Sequence, residues 1–181
     1  MRLLSALVVI ASGAVLVGVP TAASRSTAEI ERRAVLEAAV IRELNRVRAD
    51  RGLRLLRAAP SLRTAARGHS LAMLEHGFFA HESFDGSDFS SRIRRHYTDR
   101  GWMRWSVGEA LLSSQSSRVE AREIVAAWLD SPPHRTIVLS PAWRDAGIGV
   151  LYAPSAPREY RGAEAIVVTA DFGLREGRAD Y

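Results

Sequence analysis

The hydrophobic period of this chain changes once, from helical to extended. Leu36, Val40, Leu44 and Val47 recur at spacings of four, four and three, the one-sided stripe of an amphipathic helix. Near the other end, 145–153 and 164–173 are dense in Val and Ile and read as two strands. Helices first and strands last favour an α+β fold, with helices packed on an antiparallel sheet. The chain has 181 residues, 47% hydrophobic and 25% charged, which suits one globular domain with a real core.

Capping residues refine the elements. A first helix is expected over about 27–50, with Ser26 or Thr27 at its start and Gly52 past its end. Pro60 and Ser61 open a second helix that runs to about His76 and closes at Gly77. A short helix is expected over 87–96, and an extended stretch over 102–107. Ser117 is the expected cap of a helix over 118–130 whose Ile124, Val125 and Trp128 form the buried side. Pro132-Pro133 is expected to break it, leaving a further helical turn over 134–139.

Residues 1–23 carry Met1-Arg2, an apolar run from Leu3 to Val19, and Pro20-Thr21-Ala22-Ala23. A basic start, an apolar middle and small residues at the end are the pattern of a secretory signal peptide, with cleavage expected after Ala23. The rival is an uncleaved anchor; the short run with Gly13, Gly18 and Pro20 favours cleavage. Residues 24–181 are then one domain, secreted or held in the cell envelope, and the signal segment is the only stretch suited to a membrane. There is no Cys. Disulfides, a lipoprotein anchor and thiol chemistry are therefore excluded. The pI is about 10.6, but all 25 basic residues are Arg and they are scattered. That pattern argues against a specific nucleic-acid site and for a mild attraction to an anionic envelope.

Three segments place a histidine or a glutamate where a helix is expected to meet a loop. They are Phe79-Ala80-His81-Glu82-Ser83-Phe84-Asp85-Gly86, Gly108-Glu109-Ala110-Leu111 and Trp128-Leu129-Asp130-Ser131-Pro132-Pro133-His134-Arg135. Glu109 sits among apolar neighbours, where a carboxylate is costly unless paired, so a partner is expected: an arginine or capping N–H groups. Two imidazoles and a carboxylate are ordinary zinc ligands and leave an open position for water. The spacings, 28 and 25 residues, do not by themselves make a metal motif. Two other patterns carry less. Gly68-His69-Ser70-Leu71-Ala72 looks like an esterase nucleophile elbow, but Ser70 falls mid-helix, not after a strand. His81-Glu82 starts like a zinc-protease helix, but position 85 is Asp. His69 and His76 share a helical face, as groove packing rather than a metal pair, and His96 reads as solvated.

These segments, with Leu44-Asn45-Arg46-Val47-Arg48, Gly52-Leu53, Ala66, His69-Ser70, Gly147-Ile148-Gly149-Val150 and a last strand from Val167 to Gly173, resemble the CAP superfamily. That is the group of cysteine-rich secretory proteins, antigen 5 and pathogenesis-related group one proteins, here in a compact bacterial form without Cys. The resemblance implies a three-layer α–β–α sandwich around a central antiparallel sheet. It implies a shallow cleft with His81, Glu109 and His134 as ligands of zinc or another divalent cation. The family's second glutamate is missing; Asp130 or Ser131 occupies that region, so Asp130 is the candidate fourth cleft residue. Ala110 replaces a usual Asn, and Pro132-Pro133 a usual Pro-Gly. The function implied is a secreted module binding a metal ion and a lipid, small molecule or cell-wall component. The alternative is a metal-dependent hydrolase of peptide, phosphodiester or cell-wall bonds, with Glu109 as the candidate general base. A third expectation is a structural envelope protein with a vestigial site.

Overall fold

A computed structural model describes residues 30–178. In chain order the elements are β1 (Glu31–Arg32), α1 (Ala34–Ala49), β2 (Arg57–Ala58), α2 (Pro60–His76), α3 (Phe89–Arg94), β3 (Trp102–Ser114), α4 (Ala121–Asp130), α5 (Pro132–Val138), β4 (Asp145–Ala153), a 3-10 turn at Arg158–Tyr160, and β5 (Ala165–Arg178). The sheet order is β1-β4-β5-β3, antiparallel throughout, with β2 added parallel to β4. Helices cover both faces, which is the expected α–β–α sandwich.

The period-two alternation of β4 and β5 sorts the two faces. Ile148, Val150, Ile166, Val168, Ala170 and Phe172 pack with Val40, Leu44, Val47, Ile124, Val125 and Trp128 of α1 and α4. Residues of the other parity meet α2: Leu151 and Val167 join Met73 and Leu74. Gly147 and Gly149 belong to this second set. A Cβ there would lie 2.0 Å and 2.4 Å from the backbone nitrogens of Arg63 and Arg67. The α2 backbone therefore rests directly on β4, and only glycine fits beneath it.

Two buried polar groups tie the layers. Glu37 of α1 accepts from Arg67 of α2 through both carboxylate oxygens, one at 2.8 Å, and from the Val150 amide at 3.3 Å. Arg48, fully buried, donates to the Arg54, Val138 and Ser140 carbonyls. From the layer that α4 shares with α1, Trp128 Nε1 donates to the Leu111 carbonyl at 2.9 Å.

Several boundaries differ from expectation. Helix α1 begins at Ala34, because Glu31–Arg32 pair with Tyr152 and Leu151 as a strand. Ser26 and Thr27, the expected caps, lie outside the described residues, as does the signal segment. Helix α4 begins at Ala121, not Arg118. Glu120 and Glu123 form a reciprocal capping box there, and Ser117 is bypassed. Pro132 and Pro133 do not merely break α4; they form the first turn of α5, where a missing N–H costs nothing. The short helix expected over 87–96 shrinks to Phe89–Arg94, capped by Asp88. Strand β3 runs on past residue 107 to Ser114, so Glu109 lies mid-strand and not where a helix meets a loop.

Candidate functional site: a buried carboxylate held by Arg92 and His81

On β3 the parity that faces α2 places Glu109 inward, opposite Asp171 of β5, which in turn faces Gly147 of β4. The Glu109 side chain is fully buried. An ionised carboxylate at such a place must be paired and hydrogen-bonded. Two partners supply this. Arg92 Nη2 donates to Oε2, and His81 Nδ1 donates to Oε1 at 2.8 Å.

Local sequence delivers both partners. Asp88 caps α3 by accepting from the Ser91 amide at 3.0 Å, and bonds from Ser90 and Ser91 hold its carboxyl well below the usual range. The helix so fixed turns Arg92 inward. Arg92 Nη1 also donates to the His81 carbonyl at 3.0 Å and to Ser83 Oγ at 3.1 Å, pinning the loop that carries His81. From α2, buried His69 donates through Nε2 to the Ala80 carbonyl at 2.9 Å. That bond places the proton on Nε2 and leaves buried Nδ1 without a partner.

Burial is the largest influence on His69 and lowers its pKa, so it stays neutral. For His81 the bond to Glu109 dominates and raises the pKa, against the opposing effects of burial and Arg92. His81 Nε2 has no hydrogen bond among the described residues, and the side chain is 47% exposed. His134, in the first turn of α5, is shifted down, by burial first and then by the charge of His81. Asp171 is fully buried. Burial first, and the adjacent Glu109 charge second, push its carboxyl well above the usual range. It therefore holds its proton to higher pH than an ordinary carboxyl, and neither oxygen has a hydrogen-bond partner among the described residues.

Of the four sequence candidates, His81 and Glu109 are in direct contact. His134 lies within range of the His81 charge. Asp130 is exposed at the end of α4, with no hydrogen bond or ion pair among the described residues. Among the described residues no group of three His, Asp or Glu side chains is arranged to hold a metal ion. Of the two Glu109 oxygens, one is taken by Arg92 and the other by His81. In this arrangement the residues do not fit zinc or another divalent cation. Both oxygens of Glu109 are engaged, so it has no free edge for use as a general base; the open titrating nitrogen belongs to His81.

Arg92 and Asp171 are the members sequence reasoning missed, whereas His69 was read as packing and is indeed buried. Asp171 left a signal, since it is a carboxylate within an apolar strand at the same parity as Thr169. Arg92 left none among 25 arginines. The esterase-like Ser70 is buried mid-helix and bonded to the Gly149 carbonyl and Thr169 Oγ1, so it is no nucleophile. His76 stacks on Phe84 at 4.0 Å as groove packing, and His96 is exposed.

The family model described as "CAP: Cysteine-rich secretory protein family" matches residues 41–172. Similar solved structures include an outer surface protein from Borrelia burgdorferi, at 21% identity and TM-score 0.64, covering 82% of this chain and 99% of that one. An extracellular SCP-domain protein from Bacillus anthracis has 21% identity and TM-score 0.59, covering 79% of this chain and 41% of its own. A cysteine-rich secretory protein from Staphylococcus aureus has 11% identity and TM-score 0.53, covering 78% and 39%. At these identities the likeness is one of fold. No curated protein matches the sequence. Among the described residues no helix is long and apolar enough to cross a membrane.

Proposed function

This chain belongs to the CAP family, the cysteine-rich secretory proteins, and from that premise we propose that it is an exported binding module whose cleft beside His81 takes a cell-wall fragment. The observation that carries this reading is the saturation of Glu109. Both its oxygens are bound from within the protein, so Glu109 itself presents no free oxygen to a ligand. What the loop offers a ligand is His81 Nε2 together with two exposed aromatic side chains. Phe84 is 56% exposed, and Phe79 39%; both lie in the loop that carries His81. A polar group beside exposed rings suits a saccharide or peptide, whose hydroxyl or amide groups bond the imidazole while C–H faces lie on the rings. Export rests on the leader pattern of residues 1–23 and on the family. A lipid or another small molecule is the rival occupant.

Co-sedimentation of the domain from Ser24 with insoluble cell-wall material tests this, beside His81→Ala and Phe84→Ala. Both variants should weaken retention about tenfold; unchanged retention in both would overturn the reading. Zinc calorimetry on the same protein should give no saturable site. One ion per chain, lost in the His81→Ala, His134→Ala double variant, would restore the divalent-metal cleft.

One observation favours hydrolysis as a second reading. His81 is fixed through Nδ1 on a carboxylate while Nε2 stays open, the arrangement of a general base. Reproducible cleavage of a peptide, phosphodiester or cell-wall bond that disappears in Glu109→Gln would establish it.

A further inference from the structure

At the end of the sheet where β2 joins β4, three distant segments bring arginines together around a hollow of about 450 Å3. Its walls are Arg54, Leu55, Arg57, Arg144, Arg175 and Glu176. The carboxylates nearby are already spent. Glu176 accepts from Arg104 at 2.7 Å through one oxygen and from Arg144 at 2.8 Å through the other. Asp145 accepts from Arg57 Nε at 2.9 Å and from the Tyr97 hydroxyl at 2.8 Å. Five guanidiniums thus face two carboxylates. Arg54 and Arg175 have no acidic partner among the described residues.

Arg175 is the most informative member. Its guanidinium lies 3.5 Å over the Tyr97 ring, and its Nε and Nη2 are sealed from solvent without an acceptor. A guanidinium with buried, unbonded N–H groups lacks an acceptor that it would have in water. Its remaining Nη1 is open and without a partner among the described residues. The rest of the hollow is rigid. Arg144 Nη1 is held by the Pro141, Ala142 and Trp143 carbonyls. The loop bearing Arg54 is pinned by buried Arg48, whose own pKa is lowered by burial first and then by the charge of Arg144.

We propose that this hollow is a binding site for a multiply charged phosphate oxyanion, read by Arg54, Arg57 and Arg175 and distinct from the His81 cleft. Arginine forks match phosphate geometry in paired hydrogen bonds, and a neighbouring fixed charge favours a group bearing more than one negative charge. Leu55, 52% exposed at the rim, leaves room for an apolar substituent on the phosphate. The source is either a soluble phosphate ester or an anionic lipid headgroup.

Two probes separate the sources: calorimetry with inorganic pyrophosphate, and co-sedimentation with cardiolipin vesicles, whose headgroup carries two phosphates, against phosphatidylcholine vesicles. Both are run near physiological salt, to suppress diffuse attraction. At least one probe should bind saturably, at one pyrophosphate ion per chain in the calorimetry. Arg54→Gln with Arg175→Gln should weaken that binding about tenfold or more. The charge-matched pair Arg118→Gln with Arg122→Gln, one just before α4 and one in its first turn, should leave it unchanged. Arg54→Gln alone alters only an exposed side chain, so it keeps the test valid if the Arg175 variant fails to fold; it should still weaken binding several-fold. Equal weakening in the α4 pair would reduce the effect to net charge and overturn the site. So would an absence of saturable binding to both probes.

Discussion

Removal of the Arg92 guanidinium tests the logic of the cleft most directly. In Arg92→Met the stem keeps its packing, but Glu109 stays in the sheet with His81 as its only partner. The Arg92 side chain is 9% exposed and that of Glu109 is fully buried, so solvent screens the pair little. Breaking a buried pair from one side costs about 3–5 kcal/mol. For a domain of this size that lowers Tm by roughly 6–20 °C. The loss depends on pH, with a definite sign. His81 is raised above its ordinary 6.5 by Glu109, and the Arg92 charge opposes that rise; the variant should raise it further. Protonated His81 then stands in for the missing guanidinium. That rescue is complete below the unfolded-state value near 6.5 and is lost as pH climbs through the folded pKa. His81 is 47% exposed, so the rescue is screened to about 1 kcal/mol. Urea unfolding at ~pH 5.5 and ~pH 8, either side of the histidine range, measures it, and an NMR titration of His81 reads the pKa directly. A loss below about 1 kcal/mol at the higher pH would refute the buried-pair argument. A loss greater in acid than in base would refute the account of His81.

Three further outcomes follow from other contacts. Burial and the Glu109 charge raise the folded pKa of Asp171 well above its ordinary 3.8; stability therefore falls as pH rises from there towards the folded value. Asp171→Asn should remove that slope and be at least as stable as the parent at neutral pH, and a loss above about 1 kcal/mol in a urea series across pH would contradict this. Gly149→Ala puts a Cβ 2.4 Å from the Arg67 nitrogen and should cost about 1–3 kcal/mol by overpacking α2 against the sheet; an unchanged Tm would mean that α2 does not rest there. Glu37→Gln loosens the tie between α1 and α2 and should cost about 1.5–3 kcal/mol in chemical denaturation, towards the lower end because Arg67 is 26% exposed.

Elements whose determinants are local were legible in the sequence. Helix α2 runs from Pro60 to His76, as its proline start and glycine stop announced, and β4 covers the expected 145–153. Elements decided by distant partners were not. Residues 30–32 carry no strand signal of their own; β4 imposes one by pairing. The site divides the same way. Glu109 stood out because a carboxylate among apolar neighbours asks for a partner, and His81 through the resemblance of its segment to the family. That Arg92 would be the partner depends on a helix of six residues turning one arginine inward, and nothing in the local pattern of 25 arginines singles it out. Asp130 was inferred from its place in the chain alone, and the end of α4 leaves it in solvent.

The pairing of Glu31 with Tyr152 also bears on how the molecule comes into being. Strand β5, flanked by β4 on one side and β3 on the other, follows every other described element in the chain. Strand β4 already offers α1 and α2 a surface, but the helical layers complete their packing on the sheet only when β5 arrives. Loop closure over more than a hundred residues must precede the contacts that reward it, which places such a fold among the slower, non-local folders, on the scale of milliseconds to seconds. During synthesis the helices therefore wait, partly formed, for the last stretch of chain. An interruption within β5 is expected to leave no stable fragment, whereas most single losses at the cleft leave a folded protein.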